Sequence, residues 1–410
     1  MAKGRREVPP CSKTYGLPLY CAAWVPLDRI SSYPDAVATA EEALKKTEDE
    51  GSTPVTTEGD GAADVVANSA LSPAHGNKLL IALGGGGGEG HSGVPNAILL
   101  TLFDFESRSL SDYPVHRVGT GEELPYRMTM HPGGDGFICS FLKSCRCFEW
   151  DIPNNMEPSK LAIKSSGYIL QQLEDVGLQL ALAFSSDGTA LAAGGEDGHL
   201  RVFKWPSMDI ILNQTDAHAT VKYVDFSSDG KFLVSVGGSG PCRVWDLVSS
   251  TSVTNLQVEE GEKFCFCRFS ESSDILYVIA MHDDVGKVIS WSSSSWKRIS
   301  SKKIGHDPIS AFSVSYDGKF LAIGTVEGDI AIINSSDFKV QMSVKKAHLG
   351  PVTALKFSQD SRVKPVARFL GYFTGHSCIF HKVTRPFEEQ ITSRSRSFNE
   401  FCFIKVSYFV

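Results

Sequence analysis

Phe184-Ser-Ser-Asp-Gly188, Phe226-Ser-Ser-Asp-Gly230, Phe269-Ser-Glu-Ser-Ser-Asp274, Val314-Ser-Tyr-Asp-Gly318 and Phe357-Ser-Gln-Asp360 are five versions of one turn. Their aspartates fall at 187, 229, 274, 317 and 360, which are intervals of 42, 45, 43 and 43 residues. An apolar run follows the Asp-Gly turn, as in Ala190-Leu-Ala-Ala193, Lys231-Phe-Leu-Val-Ser-Val236 and Lys319-Phe-Leu-Ala-Ile323. A glycine or acidic turn then leads to another strand, as in Gly198-His-Leu-Arg-Val-Phe203, Cys242-Arg-Val-Trp-Asp246 and Gly328-Asp-Ile-Ala-Ile-Ile333. Short strands in a unit that repeats about every 40–45 residues are the signature of propeller blades.

That period is the WD40 one, and the dipeptides agree with it. Trp150-Asp151 and Trp245-Asp246 supply the name-giving pair, and Ala217-His218, Gly305-His306 and Ala347-His348 stand where the Gly-His pair stands. These His and Trp residues resemble catalytic groups on paper. Their expected work is the hydrogen bonding that locks a blade. Two weaker repeats lie upstream. Arg127 to Gly136, then Phe137-Ile-Cys-Ser-Phe141 and Cys145-Arg-Cys-Phe-Glu-Trp150, make one. Tyr20-Cys-Ala-Ala-Trp24, Lys78 to Leu83 and Ala97 to Phe105 make the other. The fold expected is all-β, a seven-bladed WD40 β-propeller over 15–360, after an N-terminal tail at 1–14.

A propeller is one domain even at 410 residues. A net charge of −7 excludes a general nucleic-acid binder, which presents a basic face. The close cysteine pairs Cys145/Cys147 and Cys265/Cys267 lack zinc-finger spacing and read as reduced core thiols of a cytosolic environment. No signal peptide is expected, because no apolar segment follows Met-Ala-Lys-Gly-Arg-Arg. No apolar run reaches the ~18 residues of a membrane span. Clustered carboxylates, a nucleophile elbow and metal-ligand spacing are all missing, which disfavours a hydrolase.

The first blade carries the chain's most unusual stretch, Gly84-Gly-Gly-Gly-Gly-Glu-Gly-His-Ser-Gly-Val-Pro-Asn96. A hairpin needs only two or three turn residues, so a connection this long is a device in itself. Gly88-Glu-Gly90-His-Ser-Gly93 satisfies G-x-G-x-x-G, and Gly85 to Ser92 falls one residue short of a P-loop with His91 in place of lysine. Both motifs require a helix directly after the glycines, whose N-terminal amides hold phosphate. Here Pro95-Asn96 and a β-type run follow, so neither dinucleotide nor triphosphate binding is expected. Two readings remain. One is a surface loop left floppy by the entropy of five consecutive glycines. The other is an ordered loop whose carbonyls hold a cation and whose tip touches a partner.

Residues 31–76 are acidic, rich in Ala and Thr and nearly free of aromatics, and read as a mobile, disordered insertion in blade 1. A short helix over Ala38 to Leu44 is compatible with that stretch. At the other end the repeat breaks. Residues 361–410 carry eight Lys/Arg against three Glu, and Pro365 falls where a strand is due. The last blade is expected to be incomplete, or closed by a strand from elsewhere.

With its Gly-Gly-Gly-Gly-Glu-Gly-x-x-Gly-Val-Pro-Asn loop in the first blade, the chain resembles the Sec-twelve-type guanine-nucleotide exchange factors, the prolactin regulatory element-binding protein family. The resemblance covers roughly 15–360, and Gly194-Gly-Glu-Asp-Gly-His-Leu-Arg-Val-Phe-Lys-Trp-Pro206 is most similar to plant members. It implies a protein of the endoplasmic-reticulum membrane with its propeller in the cytosol. Such a protein loads a Sar-type small GTPase with GTP to start COPII coat assembly, and does no covalent chemistry. It implies further that the loop is a potassium-binding K loop. Gly93, Val94, Pro95 and Asn96 then match its exchange-active tip. Gly84, Gly85, Gly86, Gly87, Gly88 and Gly90 match the turn whose carbonyls hold the ion. Val94 is expected to press on apolar groups of the GTPase, and Asn96 either to hold the loop's shape or to bond the partner. The family's membrane anchor is missing from this sequence, whose basic tail takes its place, so a soluble form is compatible with it. Two rivals share the propeller: the phosphate transporter traffic facilitators, which resemble members that have lost the glycine loop, and a generic WD40 scaffold.

Overall fold

The computed structural model describes residues 15–26, 29–30, 79–89, 92–104, 109–151, 161–238, 240–283, 285–347 and 350–357 with side chains. It describes backbone alone at 12–13, 78, 367–374, 377–382 and 400–404. The insertion at 31–76, Gly90, His348 and Asp360 lie outside the described residues.

Six antiparallel sheets form complete blades. Blade 1 consists of Leu19–Trp24, Lys78–Gly85 and Asn96–Asp104, with Ser109–Leu110 and His116–Gly121 both paired to the third strand. Blade 2 runs from Arg127–Met130 to Ala162–Ser165, and blade 3 from Gln179–Phe184 to Asp209–Gln214. Blade 4 runs from Val221–Phe226 to Thr251–Leu256, blade 5 from Glu262–Phe269 to Arg298–Gly305, and blade 6 from Ile309–Val314 to Val340–Val344. In each, the strand first in sequence lies innermost and its successors stack outwards. The second strands are the most buried, wholly so in Ala190–Gly195 and for most of their length in Phe232–Gly237, Ile275–His282 and Phe320–Thr325, because neighbouring blades cover both faces. Outermost strands such as Thr251–Leu256 are mostly exposed.

The count of seven blades is corrected to six. Beyond them, Ala354–Phe357 pairs with Ala367–Thr374, which pairs with Ser377–Lys382, and Ser12–Lys13 joins that sheet antiparallel from the other end of the chain. Only Ala354–Phe357 has described side chains in this sheet. The regular repeat stops after Phe357-Ser-Gln-Asp360, and Pro365 has no amide proton to give a ladder. Residues 12–13, expected in a tail, are strand.

The repeated turn has a local cause. Ser185 Oγ donates to Asp187 Oδ1 (2.6 Å) and accepts from Ala190 N–H (2.9 Å), while Asp187 Oδ1 takes the Thr189 amide (3.0 Å). The same bonds recur at Ser227/Asp229 and Ser315/Asp317. These hydrogen bonds hold the carboxyls of Asp187 and Asp229 below the usual carboxylate range, the serine's being the largest contribution. In blade 5 the aligned residue is not Asp274. Ser270 takes the capping role towards Ile275 N–H (3.1 Å), so Ser272 and Ser273 occupy the Asp-Gly places, and Ser273 accepts φ of 57°.

Of the blade-locking residues, Trp245 and His218 behave as expected. Trp245 Nε1 donates to Ser235 Oγ (2.9 Å), and the hydroxyl lies 2.8 Å from His218 Nε2. Burial, with Arg243 nearby, pulls His218 down to about 4, so a neutral imidazole accepts the serine proton. Trp150 instead bonds the Gly134 carbonyl (2.7 Å), and His306 is exposed. Replacing Ser235 with alanine strands two buried groups at once. The expected loss is about 1–3 kcal/mol, read as a lower urea midpoint at unchanged slope.

Blade 5 also buries a carboxylate. The Glu262 side chain is wholly inaccessible, with Lys287 Nζ at 2.6 Å and Arg298 Nη2 at 2.8 Å. The seven described cysteines are all unpaired, and six of them are buried. Among the described residues no helix is long and apolar enough to cross a membrane.

Candidate functional site

Two of the loop's glycines belong to strand. Lys78–Gly85 pairs with Asn96–Asp104 through Gly84↔Ile98 and Gly85↔Ala97, and with Leu19–Trp24 through Cys21↔Gly84 and Leu19↔Gly85. Both are sandwiched between two strands. A methyl group on Gly84 would lie 2.6 Å from Cys21 Sγ, and one on Gly85 would overlap the Pro18 carbonyl oxygen. Side-chain-free residues there let blade 1 close around the root of the loop.

The loop proper starts at Gly86. Its amide donates to Pro18 O (2.8 Å), and the Gly87 amide donates to Val94 O (3.2 Å). The first ties the loop's root to the residue ahead of Leu19–Trp24, and the second draws the two limbs together just beyond the sheet. Gly86 has φ of +148°, and a Cβ there would overlap Asn96 Oδ1 and Cα. No L-residue side chain fits that position.

Asn96 holds the arrangement. It is 3 % exposed. Its Oδ1 accepts the Gly88 amide (2.9 Å), and its Nδ2 donates to Gly88 O (3.2 Å) and to Gly121 O (3.1 Å). One side chain therefore satisfies both backbone groups of a glycine eight residues away and bridges to the end of the His116–Gly121 strand. Both amide protons are committed inside the protein. Of the two roles left open for Asn96, this geometry carries the shape-holding one.

What the loop offers to the outside is small. Glu89, Ser92, Gly93 and Pro95 are exposed, and Gly93 has φ of +71°. Ser92 Oγ accepts the Val94 amide (3.3 Å) and so stiffens the turn ahead of Pro95. Val94 is half-buried against the blade 1 core of Leu17, Leu19, Ile81 and Leu83, which leaves only part of its side chain for a partner. Chemically, the site can press a braced ridge of Ser92, Gly93 and Pro95 against another surface, with the carboxylate of Glu89 exposed on the same loop. Among the described residues no group of three His, Cys, Asp or Glu could hold a metal, so any cation here would depend on carbonyl oxygens. The carbonyls of the six expected glycines are not equivalent. Those of Gly84 and Gly85 lie in strand, and Gly88 O takes the Asn96 amide. Gly86 and Gly87 remain, and Gly90 is outside the described residues.

Pro18 and Gly121 were not legible as parts of this site. Pro18 acts through its carbonyl alone, which any residue would supply, and Gly121 meets Asn96 only through the pairing of two strands.

Replacing Gly86 with alanine is expected to unseat Asn96 without disturbing the blades. Accelerated hydrogen exchange at the Gly87 and Gly88 amides, with protection in blades 3–6 unchanged, is the expected measurement.

A β-propeller built of WD40 repeats, with a braced glycine loop on its first blade, is the class that fold and site define. The family model described as WD domain, G-beta repeat matches residues 175–204 and 211–246. The chain is 48% identical over 277 residues to SEC12-like protein 2 of Arabidopsis thaliana, covering 67% of this chain and 70% of that one. It is 32% identical over 280 residues to SEC12-like protein 1 of the same plant, covering 66% and 69%. The guanine nucleotide-exchange factor SEC12 of Mus musculus is 30% identical over 228 residues, 51% of this chain and 54% of its own length. The chain belongs to the SEC12-like family of WD40 proteins.

Proposed function

We propose that this protein is a guanine-nucleotide exchange factor for a Sar-type small GTPase. It promotes GDP release and GTP loading at the endoplasmic reticulum and so starts COPII assembly for transport towards the Golgi. The observation that carries this reading is the braced loop, in which Asn96 fixes the Gly88 backbone and leaves Gly93 and Pro95 outermost. Similarity to a mouse protein named as an exchange factor supports it.

A GTPase that holds nucleotide at nanomolar to picomolar Kd is stabilised by about 12–16 kcal/mol. A factor that speeds release does so by binding the nucleotide-free form preferentially, and reciprocity then requires nucleotide to weaken that binding by the same factor. A stiff wedge does this at the least cost, because a floppy loop would lose ordering entropy on contact. Gly93-Val94-Pro95 is the proposed wedge, and Asn96 its brace. A potassium ion held by the Gly86 and Gly87 carbonyls, in the manner of carbonyl-ringed potassium sites, would stiffen it further.

The test is release of a fluorescent GDP analogue from a Sar-type GTPase, in potassium and then in sodium buffer. Acceleration that is greater in potassium supports both the activity and the ion. Acceleration equal in the two buffers removes the ion and leaves the activity. No acceleration by the folded protein overturns the proposal and leaves an interaction scaffold.

A further inference from the structure

The innermost strands of the six blades and Ala354–Phe357 surround one axial cavity of about 100 Å³. That is room for about three waters at ~30 Å³ each, or for a single tetrahedral oxyanion. Its polar lining is one-sided. Arg127, Lys222, Arg268 and Lys356 come from four different strands, and no carboxylate lines the cavity.

The balance of charge around it is equally uneven. Asp225 pairs with Arg268 at 2.5 Å, and its other oxygen accepts the Phe269 amide (2.8 Å). Arg127 is held only by carbonyls, with Nε on Leu180 O (3.0 Å) and Nη1 on Tyr126 O (3.3 Å), while its guanidinium lies over the Tyr126 ring. Lys222 and Lys356 have no hydrogen-bond or ion-pair partner among the described residues. Lys356 lies within electrostatic reach of Arg268, Asp225 and Arg127. Lys222 is exposed, and Arg127, Arg268 and Lys356 are half-buried. Four cations around one cavity, with Asp225 paired to only one of them, leave a local excess of positive charge that an anion would offset.

We propose that the axial cavity is a binding site for one small tetrahedral oxyanion of the phosphate type, held by Lys356, Lys222 and the Arg127 and Arg268 guanidinium groups. Guanidinium forks match the oxygens of such an anion, and a lysine adds a compact charge. The state of Lys356 gives the site a pH dependence. Burial, together with Arg268 and Arg127 and against the pull of Asp225, brings its ammonium down to about 7. A bound anion would restore that charge, so binding is stronger below pH 7 than above it. The other charged or titratable groups around the cavity are Lys222, Tyr223, Tyr20 and Cys21. This inference does not depend on exchange activity.

The experiment is calorimetric and thermal-shift titration of the full chain with inorganic phosphate at constant ionic strength, chloride being the control. Sulfate, whose charge is constant between pH 6 and pH 8, serves as the second probe. Phosphate is expected to raise Tm saturably, and the sulfate Kd to rise several-fold from pH 6 to pH 8. Lys356→Met should weaken phosphate at least tenfold and abolish the pH dependence of sulfate. Its unliganded Tm should hold or rise, since an unpaired, half-buried cation has been removed. Lys222→Met, at the exposed mouth, gives a second reading that does not disturb the core. A chloride-like response to phosphate, or unchanged affinity in both variants, overturns the proposal. Binding of inositol hexakisphosphate without any response to phosphate overturns the single-anion assignment.

Discussion

On the proposed exchange function, Asn96→Ala is expected to lower stimulated nucleotide release at least tenfold while the propeller stays folded. The substitution removes one acceptor and two donors, leaving the Gly88 amide, the Gly88 carbonyl and the Gly121 carbonyl without their partner. Gly88 is half-buried and water can replace part of what is lost, so the stability cost stays within about 1–3 kcal/mol. The functional cost is larger because Asn96 supplies three of the hydrogen bonds that hold the described residues of the loop. Without Asn96, the bonds from the Gly86 and Gly87 amides, the Ser92–Val94 bond and the packing of Val94 are what constrain the described loop residues, whose glycines favour many conformers. A loop that must be ordered by its partner binds the nucleotide-free GTPase less tightly by that ordering entropy. Rate of GDP-analogue release and Tm together check the expectation. Full activity at unchanged Tm would show that the brace is not needed. Asn96→Asp keeps an acceptor for Gly88 but sets a carboxylate against two carbonyls, and should fall close to the alanine variant.

The largest effect on stability is expected from Glu262→Ala. This carboxylate is fully buried between Lys287 and Arg298, and its Oε2 also accepts the Glu259 amide (3.1 Å). Removing it leaves two largely buried cations with Glu259, a half-exposed carboxylate, as the remaining acid. Breaking one side of a buried ion pair costs about 3–5 kcal/mol, which for a chain of this size should lower Tm by about 4–7 °C. The same network sets a pH window. Burial pushes the Glu262 carboxyl up, but hydrogen bonds from Arg298 and Lys287 outweigh it and bring the group down to about 2 from 4.5. The unfolded chain therefore takes up this proton first. The stabilisation is complete above pH 4.5 and is lost as pH falls towards 2. Denaturant midpoints between pH 6 and pH 3 should show this loss in the parent protein. In Glu262→Gln this group's contribution to the slope should vanish.

How much of this was legible in the sequence depends on whether a feature is local. The Ser-x-Asp-Gly turns are closed by bonds within five residues, so their spacing alone gave the strands and the propeller. The same locality explains the misalignment at Asp274, where serines replace both the aspartate and the positive-φ glycine and only the capping bonds of Ser270 reveal the register. The loop was legible as a device, because its length and glycine content have no use in a plain turn. Its brace was not. Asn96 reaches Gly121 because two strands pair, and Pro18 reaches Gly86 through a carbonyl. The blade count failed where the repeat itself ends, after Asp360. The axial cluster was invisible as a cluster, since Arg127, Lys222, Arg268 and Lys356 are separated by whole blades and meet only when the ring forms.

The seam of the ring has its own consequence. Thr353 Oγ donates to Leu19 O (3.1 Å), a contact across 334 residues. Leu19 is the ladder partner of Gly85, on which the loop stands. The root of the loop is thus tied to the last part of the propeller to leave the ribosome. Contacts of such separation form late, after the entropy of closing the whole chain has been met. Partly made or opened molecules would lack this tie at the loop's root while keeping the bonds inside blade 1 that brace it. The footing of the loop therefore depends in part on closure of the ring, so the two ends of the propeller share one mechanical joint.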